Sequence, residues 1–185
     1  LEGDEVMVPT MEQVADLRYA ELPGVQAVEM PYAGGELAMV ILLPGEDRFE
    51  PFARSLDHAQ LDTIVGALEP AALRLALPKF RFDAGTELRD TLADLGMTYA
   101  FGEEADFSGM DGSHELFIDE VYHRAFVDVA EGGTEASAAS GAVMARKGEP
   151  HAEQVVQVER PFLFLIRDVD TGAILFLGHV VNPLP

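Results

Sequence analysis

The sequence predicts an α+β domain in which strands outnumber helices. Three observations carry this: apolar runs of strand length bounded by glycine, proline or acidic turns, two stretches with leucines at helical spacing, and a composition of 48% hydrophobic and 24% charged residues. In 185 residues that composition is enough for one core of ordinary size.

The elements follow in chain order. Glu36 to Leu43 is a nearly continuous apolar run that begins after Gly34-Gly35 and stops at Pro44, the pattern of a strand buried on both faces. Ser55 to Leu68 places Leu61, Ile64, Val65 and Leu68 on one helical face, with Ser55 as N-cap and Pro70 beyond the end. Leu73, Leu75 and Leu77 then alternate with Arg74 and Ala76 before Pro78, which reads as a strand at an edge or a bulge. Thr86 to Leu95 is a second helix carried by Leu88, Leu92 and Leu95 and stopped by Gly96. Along Leu116 to Val129, one strand face takes Val121, His123, Ala125, Val127 and Val129, and the other takes Tyr122, Arg124, Phe126 and Asp128. Two apolar strands, Phe162 to Ile166 and Ala173 to Leu177, close the chain as a buried hairpin around Asp168-Val169-Asp170-Thr171-Gly172.

Charge narrows the function. Twelve Lys and Arg stand against 33 Asp and Glu, a net charge of −21 that repels nucleic-acid phosphates and anionic lipid heads. With only two lysines, Lys79 and Lys147, the composition resembles that of a salt-adapted or high-GC bacterial protein, a prokaryotic source. There is no cysteine, hence no disulfide, thiolate nucleophile or cysteine zinc site. No apolar run approaches the ~20 residues that cross a bilayer. The chain starts at Leu1 with an acidic stretch and no signal-peptide pattern, so it is expected to begin partway through a longer product.

The segment Glu131 to Pro150, EGGTEASAASGAVMARKGEP, has no large hydrophobic residue from Gly132 to Ala142 and then carries Met144, Arg146 and Lys147. One reading is a flexible linker. The other is a strand in waiting: in an extended conformation Thr134, Ala136, Ala138, Ser140 and Ala142 face one side, and Glu135, Ser137, Ala139 and Gly141 the other. One face is then small and neutral, as a segment slipping between existing strands requires, because bulk or charge there would cost sterically and in desolvation.

EGGTEASAAS (Glu131 to Ser140) resembles the reactive-loop hinge of inhibitory serpins, and ERPFLFLIRDVDTGAILFLGHVVNP (Glu159 to Pro183) resembles their C-terminal signature. Ala76 to Met97, Ala105 to Met110 and Val6 to Met11 are similar to the same family in the same order, so the resemblance covers essentially the whole chain. It implies the serpin fold: here a β-rich C-terminal portion with parts of three β-sheets, two or three short helices and an exposed reactive loop over about 131–154. On that likeness Leu73 to Phe82 and Leu116 to Glu131 are the sixth and fifth strands of the large central sheet. Phe162 to Ile166 and Ala173 to Val181 are the last two of the core sheet, and Val155 to Val158 is the short strand after the loop. Residues 1–185 are then the C-terminal half of one domain, with the N-terminal half as its partner.

The resemblance also implies a suicide inhibitor of serine proteases, metastable, with no cofactor and no catalysis of its own. The hinge residues are Glu131, Gly133, Thr134, Glu135, Ala136, Ser137, Ala138, Ala139 and Ser140. The family's loop length puts the scissile bond between Lys147 and Gly148, with Arg146 and Met144 as alternatives. A basic residue there suits the acidic pocket of a trypsin-like protease, and a subtilisin-like one is the other target class. His123 matches the histidine beneath the place where the sheet opens, the shutter; read from the strand pattern alone it is a core residue satisfied by hydrogen bonds. His114, Glu115 and Asp119 do not have the spacing of a metal site. Ser108 lacks a Gly-x-Ser-x-Gly elbow, which disfavours a hydrolase. The alternative within the fold is a non-inhibitory carrier or chaperone. The family favours a secreted or extracellular location and leaves a cytoplasmic one open.

Overall fold

A computed structural model describes residues 7–131, 133–134 and 154–184. The chain forms two compact units, one from residues 1–81 and 128–185 and the other from 82–127.

The first unit is built on a seven-stranded sheet. Its strands are β1 (Thr10–Leu22), β2 (Val25–Pro31), β3 (Leu37–Pro44), β4 (Glu69–Pro78), β8 (Gln154–Gln157), β9 (Phe162–Asp168) and β10 (Ile174–Val180), in the order β10-β9-β3-β2-β1-β4-β8. β3 lies in the interior as its unbroken apolar run predicts, with Val40, Ile41 and Leu42 fully buried. At ~1.5–3 kcal/mol for each large aliphatic side chain taken from water, this strand is a main source of stability. The 13 residues of β1 pair with β4 from Thr10 to Tyr19 and with β2 from Arg18 to Leu22. One strand thereby joins two halves of the sheet, and the described strands form two hydrogen-bonded sheets where the resemblance implies parts of three.

Helices α1 (Phe49–Ser55) and α2 (His58–Gly66) cover one face of this sheet. Phe49, Phe52, Leu61 and Ile64 pack with Ala27, Val40, Leu42, Leu163 and Leu165. The expected helix over 55–68 is therefore two helices. Ser55 ends α1, where its hydroxyl donates to the Phe52 carbonyl, and the N-cap of α2 is Asp57, which accepts from the Gln60 amide at 2.8 Å. In the β9–β10 hairpin, Asp168 accepts from both the amide and hydroxyl of Thr171 at 2.7 Å, which holds its carboxyl below the usual range. Gly172 turns the chain at φ +74°.

The run Leu73 to Phe82 is not one strand. β4 ends at Pro78, and β5 (Phe80–Glu87) belongs to a second sheet of order β5-β6-β7, with β6 over Tyr122–Ala130 and β7 over Gly133–Thr134. Nor is Leu73 to Leu77 at an edge: β4 has β1 on one side and β8 on the other. Proline closes β4 because it has no amide to donate, and Lys79, the next residue, donates to the Pro9 carbonyl at 2.8 Å.

In the second unit the strand expected from Leu116 starts only at Tyr122. The helix expected from Thr86 is α3 (Arg89–Asp94), since Thr86 and Glu87 extend β5; Gly96 stops it at φ +102°. A 3₁₀ turn (Tyr99–Phe101) and α4 (Ser108–Asp111) complete this unit.

Candidate functional site

β6 leads into the hinge. Its buried residues, Val127 and Val129, lie on the face that alternation assigns to the core. After Glu131 the backbone reverses, and β7 pairs antiparallel with β6, Thr134 opposite Val129 and Gly133 opposite Ala130. Gly133 and Thr134 of the hinge are thus already strand, added to the edge of β6 away from β5.

The base of this turn is pinned. Lys79 Nζ lies 2.6 Å from a Glu131 carboxylate oxygen, and that hydrogen bond holds the Glu131 carboxyl below the ordinary glutamate range. Nearby, Arg81 faces Asp128 at 3.7 Å. In the second unit Arg124 grips Asp83 through two hydrogen bonds, of 2.8 and 2.6 Å. Lys79, Arg81 and Asp83 are contributors that the sequence did not single out. Their partners lie more than 40 residues away, and only the charge alternation K-x-R-x-D beside H-R-x-x-x-D-x-x-E hints at them.

Of the expected hinge residues, Glu131, Gly133 and Thr134 fall among the described residues. Glu135, Ala136, Ser137, Ala138, Ala139 and Ser140 lie outside them, as do the scissile-bond residues Lys147 and Gly148 and the alternatives Arg146 and Met144. The chain is described again at β8, which runs parallel to β4 and buries Val156.

His123 is exposed, contrary to its expected place in the core, and its side chain bonds to no other described residue. Burial along β6 fades toward its start: Val127 is buried, Ala125 half-buried and His123 open. His123 sits in an open groove with Asp83, Glu87 and Tyr122, where a hydrogen bond to Glu120 pushes the Tyr122 phenol up to about 12.

His114 faces Asp106 at 3.3 Å, and Asp119 accepts from Arg89. Ser108 donates its amide to Asp106 at 3.0 Å, and its hydroxyl bonds the same carboxylate, holding Asp106 below its usual range. No described helix is long and apolar enough to cross a membrane.

A family model described as "Serpin (serine protease inhibitor)" matches residues 1–183. A serpin-like protein of Thermococcus kodakarensis is 39% identical over 180 residues, covering 96% of this chain and 42% of its own length. Iripin-5 of Ixodes ricinus is 42% identical over 178 residues, covering 94% and 45%. Among solved structures, thyroxine-binding globulin in complex with thyroxine superposes with a TM-score of 0.80 at 29% identity, covering 96% of this chain and 47% of that one. The chain thus spans less than half the length of these relatives.

Proposed function

The chain belongs to the serpin family, and from that premise we propose that it carries the reactive-loop portion of a serine protease inhibitor that works by suicide cleavage. The family is described as one of serine protease inhibitors. The protease serine attacks the carbonyl after Lys147, the bond to Gly148 breaks, and the enzyme stays bound as an acyl ester. The freed segment from Gly133 onward then joins the sheet beside β6 and carries the enzyme away from its leaving group. Strand insertion of this kind is an established behaviour of the family.

The observation that supports this reading is the pairing of Gly133–Thr134 with Val129–Ala130. Insertion needs only to extend a ladder already begun. Each further residue exchanges solvated backbone groups for ladder bonds, at about 1 kcal/mol net apiece. The small side chains from Ala136 to Ala142 suit entry into a sheet. Arg146 and Lys147 suit a trypsin-like pocket, and cleavage after Met144 would suit a chymotrypsin- or elastase-like one. The remainder of the serpin domain, including the strand on the far side of the insertion gap, is the partner this mechanism requires.

The likeness to thyroxine-binding globulin supports a second reading, a carrier. Incubating the intact protein with trypsin and with subtilisin separates the two. The inhibitor gives protease complexes that survive boiling in detergent, and Thr134→Arg, which puts a charge on the inserting face, converts it to a cleaved substrate. A carrier is cleaved without forming complexes. Thr134→Arg protein that still formed them would refute the assignment of that face.

A further inference from the structure

The bond expected to be cut is tethered to the edge of the larger sheet. Gln154, which opens β8, is six residues beyond Gly148, so the scissile bond lies within ~22 Å of that edge strand whatever path the chain takes. A trypsin-like domain of roughly 220 residues has a radius of gyration of about 17 Å. When such an enzyme closes on Lys147, the rim of its cleft on the leaving-group side is brought to this end of the sheet.

β8 begins with Gln154 opposite Leu73 of β4, and β4 runs beside β1 with Ala72 opposite Asp16 and Ala76 opposite Glu12. Asp16 thus stands at the end of the sheet where β8 begins, two strand spacings or about 10 Å from it. Residues two apart on a strand share a face. Arg74, opposite Val14, lies on the face of Asp16 and Glu12, and its Nη1 is 3.9 Å from a Glu12 carboxylate oxygen. The two arginines beside Asp16 are already engaged: Arg74 by Glu12, and Arg18 by the buried Glu29 and the Leu68 carbonyl. Asp16 is exposed, and its side chain makes no ion pair or hydrogen bond among the described residues, so its charge is left for solvent or a partner. The sequence between Gly148 and β8 adds Glu149 and Glu153, and the whole chain carries −21.

We propose that the face of β1 and β4 beside β8, with Asp16 as its uncommitted charge, is a docking surface for the target protease, a trypsin-like enzyme whose cleft carries basic groups on the leaving-group side. For the position of the cut bond this rests on the inhibitor reading above. Opposite charges at the rim of a contact act mainly on the rate of encounter and its salt dependence. Asp16 then selects among enzymes that share one specificity pocket.

The rate at which the loop of the intact protein is cut by cationic and by anionic trypsin tests this, because the two share a preference for Lys and Arg and differ in surface charge. Asp16→Lys reverses the charge and Asp16→Glu keeps it. Asp170→Lys makes the same net change in the β9–β10 hairpin, at the other edge of the sheet. At low salt D16K is expected to be cut several-fold more slowly than wild type by cationic trypsin and no more slowly by the anionic form. D16E and D170K should stay near wild type, and roughly 1 M salt should remove the difference. A D16K rate equal to wild type, an equal slowing in D170K, an equal slowing with both trypsins, or cutting outside Met144–Gly148 overturns the proposal. Detergent-stable complexes counted in the same samples keep the two readings apart. If none form while cutting still follows the charge at position 16, the inhibitor reading falls and the docking surface stands.

Discussion

The two sheets differ in how completely their strands are used. In the seven-stranded sheet, β3 is flanked on both sides and the run Ala38–Leu43 is buried throughout, with a helical layer packed over Val40 and Leu42. In the three-stranded sheet, β7 satisfies only Val129 and Ala130 of the nine residues of β6, and Tyr122, His123, Arg124 and Phe126 are exposed. The first arrangement holds a fold. Among the described residues, the second leaves backbone donors and acceptors along one edge of β6 without a partner strand, available to a further one.

The contrast can be broken from the side of the larger sheet, where the largest effect is expected. Glu29 is 4% exposed and joins three strands: it accepts from Arg18 at 2.6 Å and from Arg167 at 2.9 and 2.8 Å. Glu29→Gln leaves the nearly buried Arg167 without its carboxylate, and denaturant unfolding should register a loss on the order of 3 kcal/mol. Exchange of the β6 amides should stay near its wild-type pattern; a matching collapse there would mean that the two sheets do not behave as differently as proposed.

A smaller effect belongs to Gly178. A Cβ at this position would lie 2.7 Å from the Phe164 ring, and that ring is itself held against Phe80 at 5.2 Å. Gly178→Ala should cost about 1–3 kcal/mol by overpacking, measured as a lower unfolding midpoint with the loop cleavage rate unchanged.

The smallest effect sharpens the picture at the hinge. Because Lys79 holds the Glu131 carboxyl below its ordinary value, the pair contributes stability above the unfolded glutamate value of roughly 4.3, and the contribution is lost as pH falls through the lower folded value. Protection of the β6–β7 turn in hydrogen exchange should therefore weaken on acidification below about pH 4. In Glu131→Gln that acid-dependent step should be absent, and an unchanged step would remove Lys79–Glu131 as the pin.

Much of the larger sheet was legible because its signals are local. β3, β9 and β10 read directly as apolar runs between turns, although the closing hairpin is buried only along β9, and β10 leaves Ile174, Leu175 and Leu177 exposed. β1 was not legible: TMEQVADLRYAEL mixes charges and small residues, and its strand character comes from pairing with both β2 and β4. α1 was hidden by Pro51 and its short length, and Ser55 and Asp57 are equally plausible caps until the break between helices is seen. At the hinge, parity alone placed Val127 and Val129 on the buried face. It could not reveal that burial fades before His123, nor that Glu131 meets Lys79 across 52 positions of sequence, since neither leaves a periodic trace.

The central claim is that the segment after Glu131 becomes a strand beside β6 once the loop is cut. The most direct measurement is the thermal transition of the intact protein before and after a single cleavage near Lys147, with hydrogen exchange of β6 followed in parallel. A dozen new ladder bonds at about 1 kcal/mol each predict a rise of roughly 20 °C or more, together with new protection along the open edge of β6. A cleaved protein that melts where the uncut one does, with β6 no better protected, would contradict the account.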